Sequence, residues 1–263
     1  MKAHSSLWGA ATSPILADGT VVLLLDGFAR SSIIGFDAKT GRHKWETERA
    51  PFRLNYATPL LRHTAGGRCE VLAVSPNQIA AYDPATGQPR WDGAVPPGTM
   101  IGSPVFVDND TVVAMIVPAD IPADPKEWQT TRTLRMIAES AGDRDGEITT
   151  AEWSAFWRDL QGTPSISAFG ISEPRGPRWS YTKGIARVAT PIVYEGIVYD
   201  INNGGVLTAL DGRNGALLKA GRLEGALDNY FSSIVAAAGR LYLASEAGKV
   251  AVVKAGADWS VLP

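Results

Sequence analysis

Apolar residues in this chain fall into short runs closed by Gly or Asp. The first unit reads PILADG, TVVLLLDG, SSIIGFDAKTG and RHKWET, four stretches rich in β-branched and aliphatic residues with turn residues between them. PIVYEG, IVYDINNGG, VLTALDGRNG and ALLKAG repeat that order further on. SIVAAAG, RLYLASEAG, KVAVVKAG and ADWSVL repeat it once more at the end. Each set predicts four short antiparallel strands joined by tight turns, so the chain is predicted to be all-β.

Two markers fix the period. FDAKTGRHKW, Phe36 to Trp45, returns as YDPATGQPRW, Tyr82 to Trp91. Ser13-Pro14, Thr58-Pro59 and Ser103-Pro104 each precede an apolar strand and recur about every 45 residues, within the range of a four-stranded propeller blade. The next such pair, Thr190-Pro191, comes about twice that distance on, which predicts an insertion in the third unit. Ser232-Ser233 opens a fifth unit. The predicted fold is a β-propeller of about five four-stranded blades, in a closed or an incomplete ring, with a small helix-loop-helix insertion. Its parts are 1–118 (blades 1 and 2 and the start of blade 3), 119–163 (the insertion) and 164–263 (the rest of blade 3, then blades 4 and 5).

On Asp37, Thr40, Gly41 and Trp45, and again on Asp83, Thr86, Gly87 and Trp91, the sequence resembles the pyrroloquinoline-quinone (PQQ) repeat family of quinoprotein-like propellers, which includes outer-membrane-protein assembly lipoproteins. In that family the repeated Trp packs between neighbouring blades, and the same structural role is expected here. Trp8 and Trp259 are assigned to the same series. The fourth unit carries Asn214 for Thr and a Leu-Leu-Lys run in place of Trp, and the third keeps Trp179 but loses the Asp and Thr-Gly. Looser docking is expected of both.

From Asp124 to about Gln161 the strand rhythm stops and helix formers take over. Ala141 to Glu152 fits a twelve-residue EF-hand loop, with Asp143, Asp145, Gly146, Thr149 and Glu152 at positions 3, 5, 6, 9 and 12 and the Glu147 carbonyl at position 7. Trp153, Phe156, Trp157 and Leu160 form one apolar helical face, and Leu134 and Ile137 supply a matching face before the loop. Ala141 stands where the first Asp belongs, so the expected ligands Asp143, Asp145, Glu147, Thr149 and Glu152 make a degenerate, weak Ca²⁺ site.

Composition narrows the function. Lys plus Arg total 25 against 27 Asp plus Glu, a net charge of -2, which offers no general attraction to nucleic acid. Cys69 is the only cysteine, so there is neither an intrachain disulfide nor a cysteine metal site, and no apolar run is long enough for a transmembrane helix. His4, His43 and His63 lie in separate units, and hydrolase, zinc-protease and phosphate-loop motifs are absent.

Three readings remain. The first is a non-enzymatic binding scaffold for a protein or glycan partner, periplasmic or secreted as the resemblance implies. The second is a PQQ-dependent oxidoreductase or a fragment of one, disfavoured because the adjacent-cysteine disulfide of the alcohol-oxidising relatives is impossible and no channel-side polar cluster stands out beyond Asn202 and Asn203. The third is a calcium-responsive sensor module of a larger protein. The abrupt start suggests a piece of a longer chain.

Overall fold

The computed structural model describes residues 10–27, 30–50, 55–118, 138, 143, 145–173 and 175–263. Blade 1 consists of β1 (Ile15–Ala17), β2 (Thr20–Leu25), β3 (Ser31–Asp37) and β4 (His43–Arg49). Blade 2 consists of β5 (Leu60–His63), β6 (Cys69–Ser75), β7 (Gln78–Tyr82) and β8 (Pro89–Gly93). Blade 3 pairs β9 (Val105–Asp108) and β10 (Thr111–Ile116) with β11 (Ser165–Gly170) and β12 (Pro177–Tyr181). The insertion, with its helix α1 (Thr150–Leu160), separates β10 from β11. Blade 4 holds β13 (Ile192–Tyr194), β14 (Ile197–Asn202), β15 (Val206–Asp211) and β16 (Leu217–Arg222). Blade 5 holds β17 (Val235–Ala237), β18 (Arg240–Ala244), β19 (Val250–Lys254) and β20 (Ser260–Val261). In every sheet hydrogen-bonded neighbours follow chain order, and the hairpin partners run antiparallel. The five-bladed, four-stranded all-β architecture expected from the repeats is therefore present.

The chain divides into two compact units: residues 1–100 with 116–163, and residues 101–115 with 164–263. The first holds blades 1 and 2 with α1, and the second holds blades 3, 4 and 5 apart from the last residue of β10. The central strands explain the composition. All seven residues of β6 and all six of β10 and β11 are buried, as suits apolar strands from the middle of a sheet. The first hairpin of three blades turns on a positive-φ pair, Asp18-Gly19, Glu195-Gly196 and Ala238-Gly239, which suits the right-handed twist of the flanking strands.

The Asp and Thr-Gly of the motif build a turn. Asp37 Oδ1 accepts from the Thr40 hydroxyl at 2.7 Å, the Thr40 N–H at 2.8 Å and the Lys39 N–H at 3.2 Å. The Thr40 bonds, acting first, hold the Asp37 carboxyl below its usual range. Asp83 repeats the arrangement with the N–H groups of Ala85 and Thr86. The Gly is there for the previous blade's Trp. A Cβ on Gly87 would lie 2.3 Å from the ring of Trp45, and one on Gly215 would lie 2.5 Å from that of Trp179. Both glycines also have positive φ. Each Trp completes the contact by donating its indole N–H across the blade boundary at 3.1 Å, Trp45 to the Pro84 carbonyl and Trp179 to that of Gly212.

These contacts correct two expectations. Blade 3 does not lose its Trp contact to blade 4, since Trp179 makes the same bond as Trp45; Asn214 stands in for Thr by accepting from the Ala216 N–H at 2.9 Å. Trp259 does not belong to the Trp series. Leu262 donates its N–H to Val252, so Leu262 takes the register position of Trp45, which pairs with Gly35. Trp259 instead lies in the preceding turn against β16, with Lys219 Nζ 4.9 Å above its ring. Trp8 lies outside the described residues. The Ser/Thr-Pro period also has a physical basis: the Ser13 N–H donates to the Thr58 hydroxyl, that of Ser103 to Thr190, and that of Thr190 to Ser233, linking consecutive blades within each unit.

Candidate functional site

Four polar places in the described structure merit a functional reading, and the inserted loop is the first. Of the expected ligands, Asp143, Asp145, Glu147 and Thr149 are exposed and Glu152 is half-buried. Asp143 Oδ1 accepts from the Asp145 N–H at 3.2 Å, Asp145 Oδ1 from the Glu147 N–H at 2.8 Å, and Gly146 turns the chain at φ 90. Glu152 closes the loop. Its Oε1 accepts from the Asp143 N–H at 3.1 Å, and its Oε2 from the Thr149 N–H and hydroxyl at 2.9 and 2.7 Å. The Thr149 bonds, acting first, hold the Glu152 carboxyl below its usual range.

Thr149 and Glu152 also form a reciprocal capping box at the start of α1, and Trp153 and Phe156 carry its buried face. Ala141, Leu134, Ile137 and the incoming helix lie outside the described residues, as do the side chains of Trp157 and Leu160. The donor set is all oxygen, which suits a hard cation. Among the described residues, however, no three His, Cys, Asp or Glu side chains gather closely enough to hold a metal ion. The carboxylates are spent on the loop's own N–H groups.

The second place is a buried network in the first unit. Arg49 at the end of β4 and Asp26 after β2 have fully inaccessible side chains, with Nε and Oδ1 3.0 Å apart. Arg49 also donates to the Tyr82 hydroxyl at 2.7 Å and to Ser75 Oγ at 2.6 Å, and Asn55 donates to Asp26 Oδ2 at 2.9 Å. Burial works against the Arg49 charge, but Asp26 and then Tyr82 outweigh it and raise the guanidinium pKa further. Every charge is answered from within, so the network ties blade 1 to blade 2 and leaves no group to react.

The third place is on β14. Asp200 is 1% exposed; its Oδ2 accepts from the Ala186 N–H at 3.0 Å and its Oδ1 has no partner among the described residues. Burial pushes its pKa up to about 7, with the Ala186 bond opposing. The orphaned Oδ1 of Asn202 stands two residues along, on the same face of the strand, while the Asn202 amide donates to the Gly184 carbonyl. Asn203, singled out with Asn202 in the sequence, accepts from the Tyr230 N–H at 3.1 Å.

Strand register could have found Asp200. In the other four blades its position holds Leu23, Ala73, Ala114 and Leu243, so a carboxylate there breaks an aliphatic series. A single misfit of this kind forms no motif.

The fourth place is a cavity of about 310 Å³ in the second unit, lined by Lys219, Gly221, Arg222, Glu224, Trp259 and Ser260. Lys219 there already bonds Asp258 and the Trp259 carbonyl. No nucleophile and base face each other in any of these four places.

A family profile described as outer membrane protein assembly factor BamB matches residues 4–119 and 72–258. The crystal structure of BamB from Moraxella catarrhalis superposes with a TM-score of 0.55 at 16% identity, covering 94% of this chain and 61% of that one. The computationally designed Ika8 protein gives 0.52 at 14% identity, covering 95% and 59%. The chain thus spans about three fifths of the length of either. A europium-containing methanol dehydrogenase gives 0.47 at 16% identity over 81% of this chain and 42% of its own. No curated protein sequence matches the chain.

Proposed function

The chain belongs to the family of the outer membrane protein assembly factor BamB, and from that premise we propose that it is a non-enzymatic propeller scaffold that holds protein partners during outer membrane protein assembly. The profile match across both compact units carries this reading. It is supported by the chemistry of the described residues, where buried charges are paired internally or stand alone and none is set against a nucleophile. A periplasmic setting follows from the same family. Among the described residues no helix is long and apolar enough to cross a membrane.

The test is co-purification of the tagged chain, exported to the periplasm of an outer-membraned bacterium, with identified components of outer membrane protein assembly. Recovery of the chain alone, folded and in the right compartment, would overturn the proposal.

The finer reading is that the inserted loop, through Asp143, Asp145, Glu152, Thr149 and the Glu147 carbonyl, is a weak calcium site. Its Asx-type turns and the Gly146 bend favour an EF-hand path, while Ala141 removes a ligand and Glu152 must give up bonds to Thr149 and Asp143. A dissociation constant of about 1 mM is expected, the weak end of the range such loops cover. Calorimetric titration should show saturable heat that Asp145→Ala abolishes. Identical traces for both proteins at millimolar Ca²⁺ would reject the site.

A further inference from the structure

Blades 1 and 2 meet over a buried cation. Arg49 lies four residues after Trp45 and reaches the Ser75 hydroxyl on β6 at 2.6 Å. Four residues after Trp91, and after Lys219, which holds the register position of Trp45 in blade 4, stand Val95 and Leu223, both buried. Four residues after Trp179 stands Lys183, which is exposed. Blade 3 therefore carries a cation at the Arg49 position and leaves it in water.

The receiving strand of blade 4 is altered at the same place. By register Ser75 of β6 becomes Asn202 of β14, and Ala73 becomes Asp200. Asn202 Oδ1 and Asp200 Oδ1 are both buried without a partner among the described residues. They stand on one strand face, about 6.6 Å apart along the chain. Asp200 looks toward blade 3: it raises the pKa of Tyr181 on β12, after burial, and accepts from Ala186 in the loop between the blades. The charged residues of that loop, Lys183 and Arg187, are exposed, as is Gly184, whose carbonyl accepts from the Asn202 amide. Once ionised, a carboxylate so placed requires a donor.

We propose that Asp200 and Asn202 bind a guanidinium group, free or carried on an arginine side chain, between blades 3 and 4, in the place that Arg49 takes between blades 1 and 2. The ligand enters beside Lys183 and Gly184. One planar fork offers donors in two directions and is weakly hydrated, so it meets two separated acceptors in a dry site better than an ammonium does.

Methylguanidinium chloride titrated into the full chain in a calorimeter should bind saturably at pH 8. Binding should be on the order of 100-fold weaker at pH 5, where a carboxyl of pKa about 7 is almost wholly protonated. Asp200→Asn should lower the pH 8 affinity by at least about tenfold and remove the pH dependence, whereas Asn202→Leu should lower it and keep the pH dependence. Methylammonium should bind at least about tenfold more weakly than methylguanidinium. The peptide acetyl-Gly-Arg-Gly-amide separates the two sources: tighter binding than methylguanidinium assigns the site to an arginine side chain, and binding of methylguanidinium alone assigns it to a small free cation. No saturable heat from either probe at pH 8 overturns the proposal, as does an affinity that Asp200→Asn leaves unchanged or that methylammonium equals. Binding seen only in Lys183→Ala also overturns it, by showing that the chain's own lysine closes the site. If Asp200→Asn misfolds, the pH dependence of the parent and the Asn202→Leu titration decide.

Discussion

Arg49→Ala is expected to lower the stability of the first unit by about 3–5 kcal/mol, because it leaves the Asp26 carboxylate buried with no compensating charge. Asn55 would still donate to Asp26 Oδ2, but one neutral donor does not offset a charge removed from water. Ser75 and Tyr82 lose their cationic partner in the same step, and with it a link between blades. Truncating both charges is a different perturbation. Asp26→Leu with Arg49→Met removes the charge that would be stranded and refills the volume, so the double variant should be more stable than Arg49→Ala alone. Urea denaturation followed by tryptophan fluorescence reads both, since Trp45 lies in the same unit. A cost under about 1 kcal/mol for Arg49→Ala would show that the pair is not dry in solution.

The repeat was legible because it is a packing requirement written once per blade. Asp37, Thr40 and Trp45 cannot vary freely when the Asp bonds its own turn and the Trp must reach the next blade's carbonyl, nor can Gly87 when it must clear the Trp45 ring. Local rules of this kind leave local signatures. Trp259 is misplaced by residue type alone: Leu262 lies ten residues after Val252, as Trp45 lies ten after Gly35, so Leu262 holds the register position and Trp259 falls in the turn before it. Likewise, Asn214 looked like a defect until its side-chain oxygen was seen to accept the bond that Thr86 accepts in blade 2.

The polar groups were less legible because their meaning lies in partners distant along the chain. Asp26, Arg49, Asn55 and Tyr82 come from two loops and two strands, and nothing in their spacing announces that they meet. The inserted loop is the reverse case. Its spacing is eloquent, yet the structure uses Thr149 and Glu152 to cap α1, a role the same residues fill with or without a cation. Asp200 belongs to neither class. It is a departure from a repeat, visible only after the blades have been aligned by register.

That departure gives the second large effect, in the dependence of stability on pH. Asp200 has a folded pKa of about 7 against an ordinary carboxylate value of 3.8, so between those limits the folded state holds a proton that the unfolded state has released. Stability must then fall as pH rises through this window and level off above it. From pH 5 to pH 8 the loss is about 3 kcal/mol, at ~1.36 kcal/mol for each unit of pKa difference traversed. Below pH 5 the trend is masked, because Asp37, Asp83 and Asp110, whose pKa values are lowered, begin to lose the bonds that hold them charged. Tyr181, whose pKa burial and then Asp200 raise, remains protonated across the window and does not compete. Asp200→Asn removes the ionisation, keeps an acceptor for the Ala186 N–H, and places a donor on the strand face where Asn202 Oδ1 has none. The variant should therefore lose the slope and exceed the parent in stability at pH 8 by about 3 kcal/mol, while the two converge near pH 5. Urea midpoints at the two pH values measure this directly. An Asp200→Asn protein that is weaker than the parent at pH 8 would mean that the carboxylate is held charged by a cation or donor ligand, and that the orphaned oxygen is one half of a binding site.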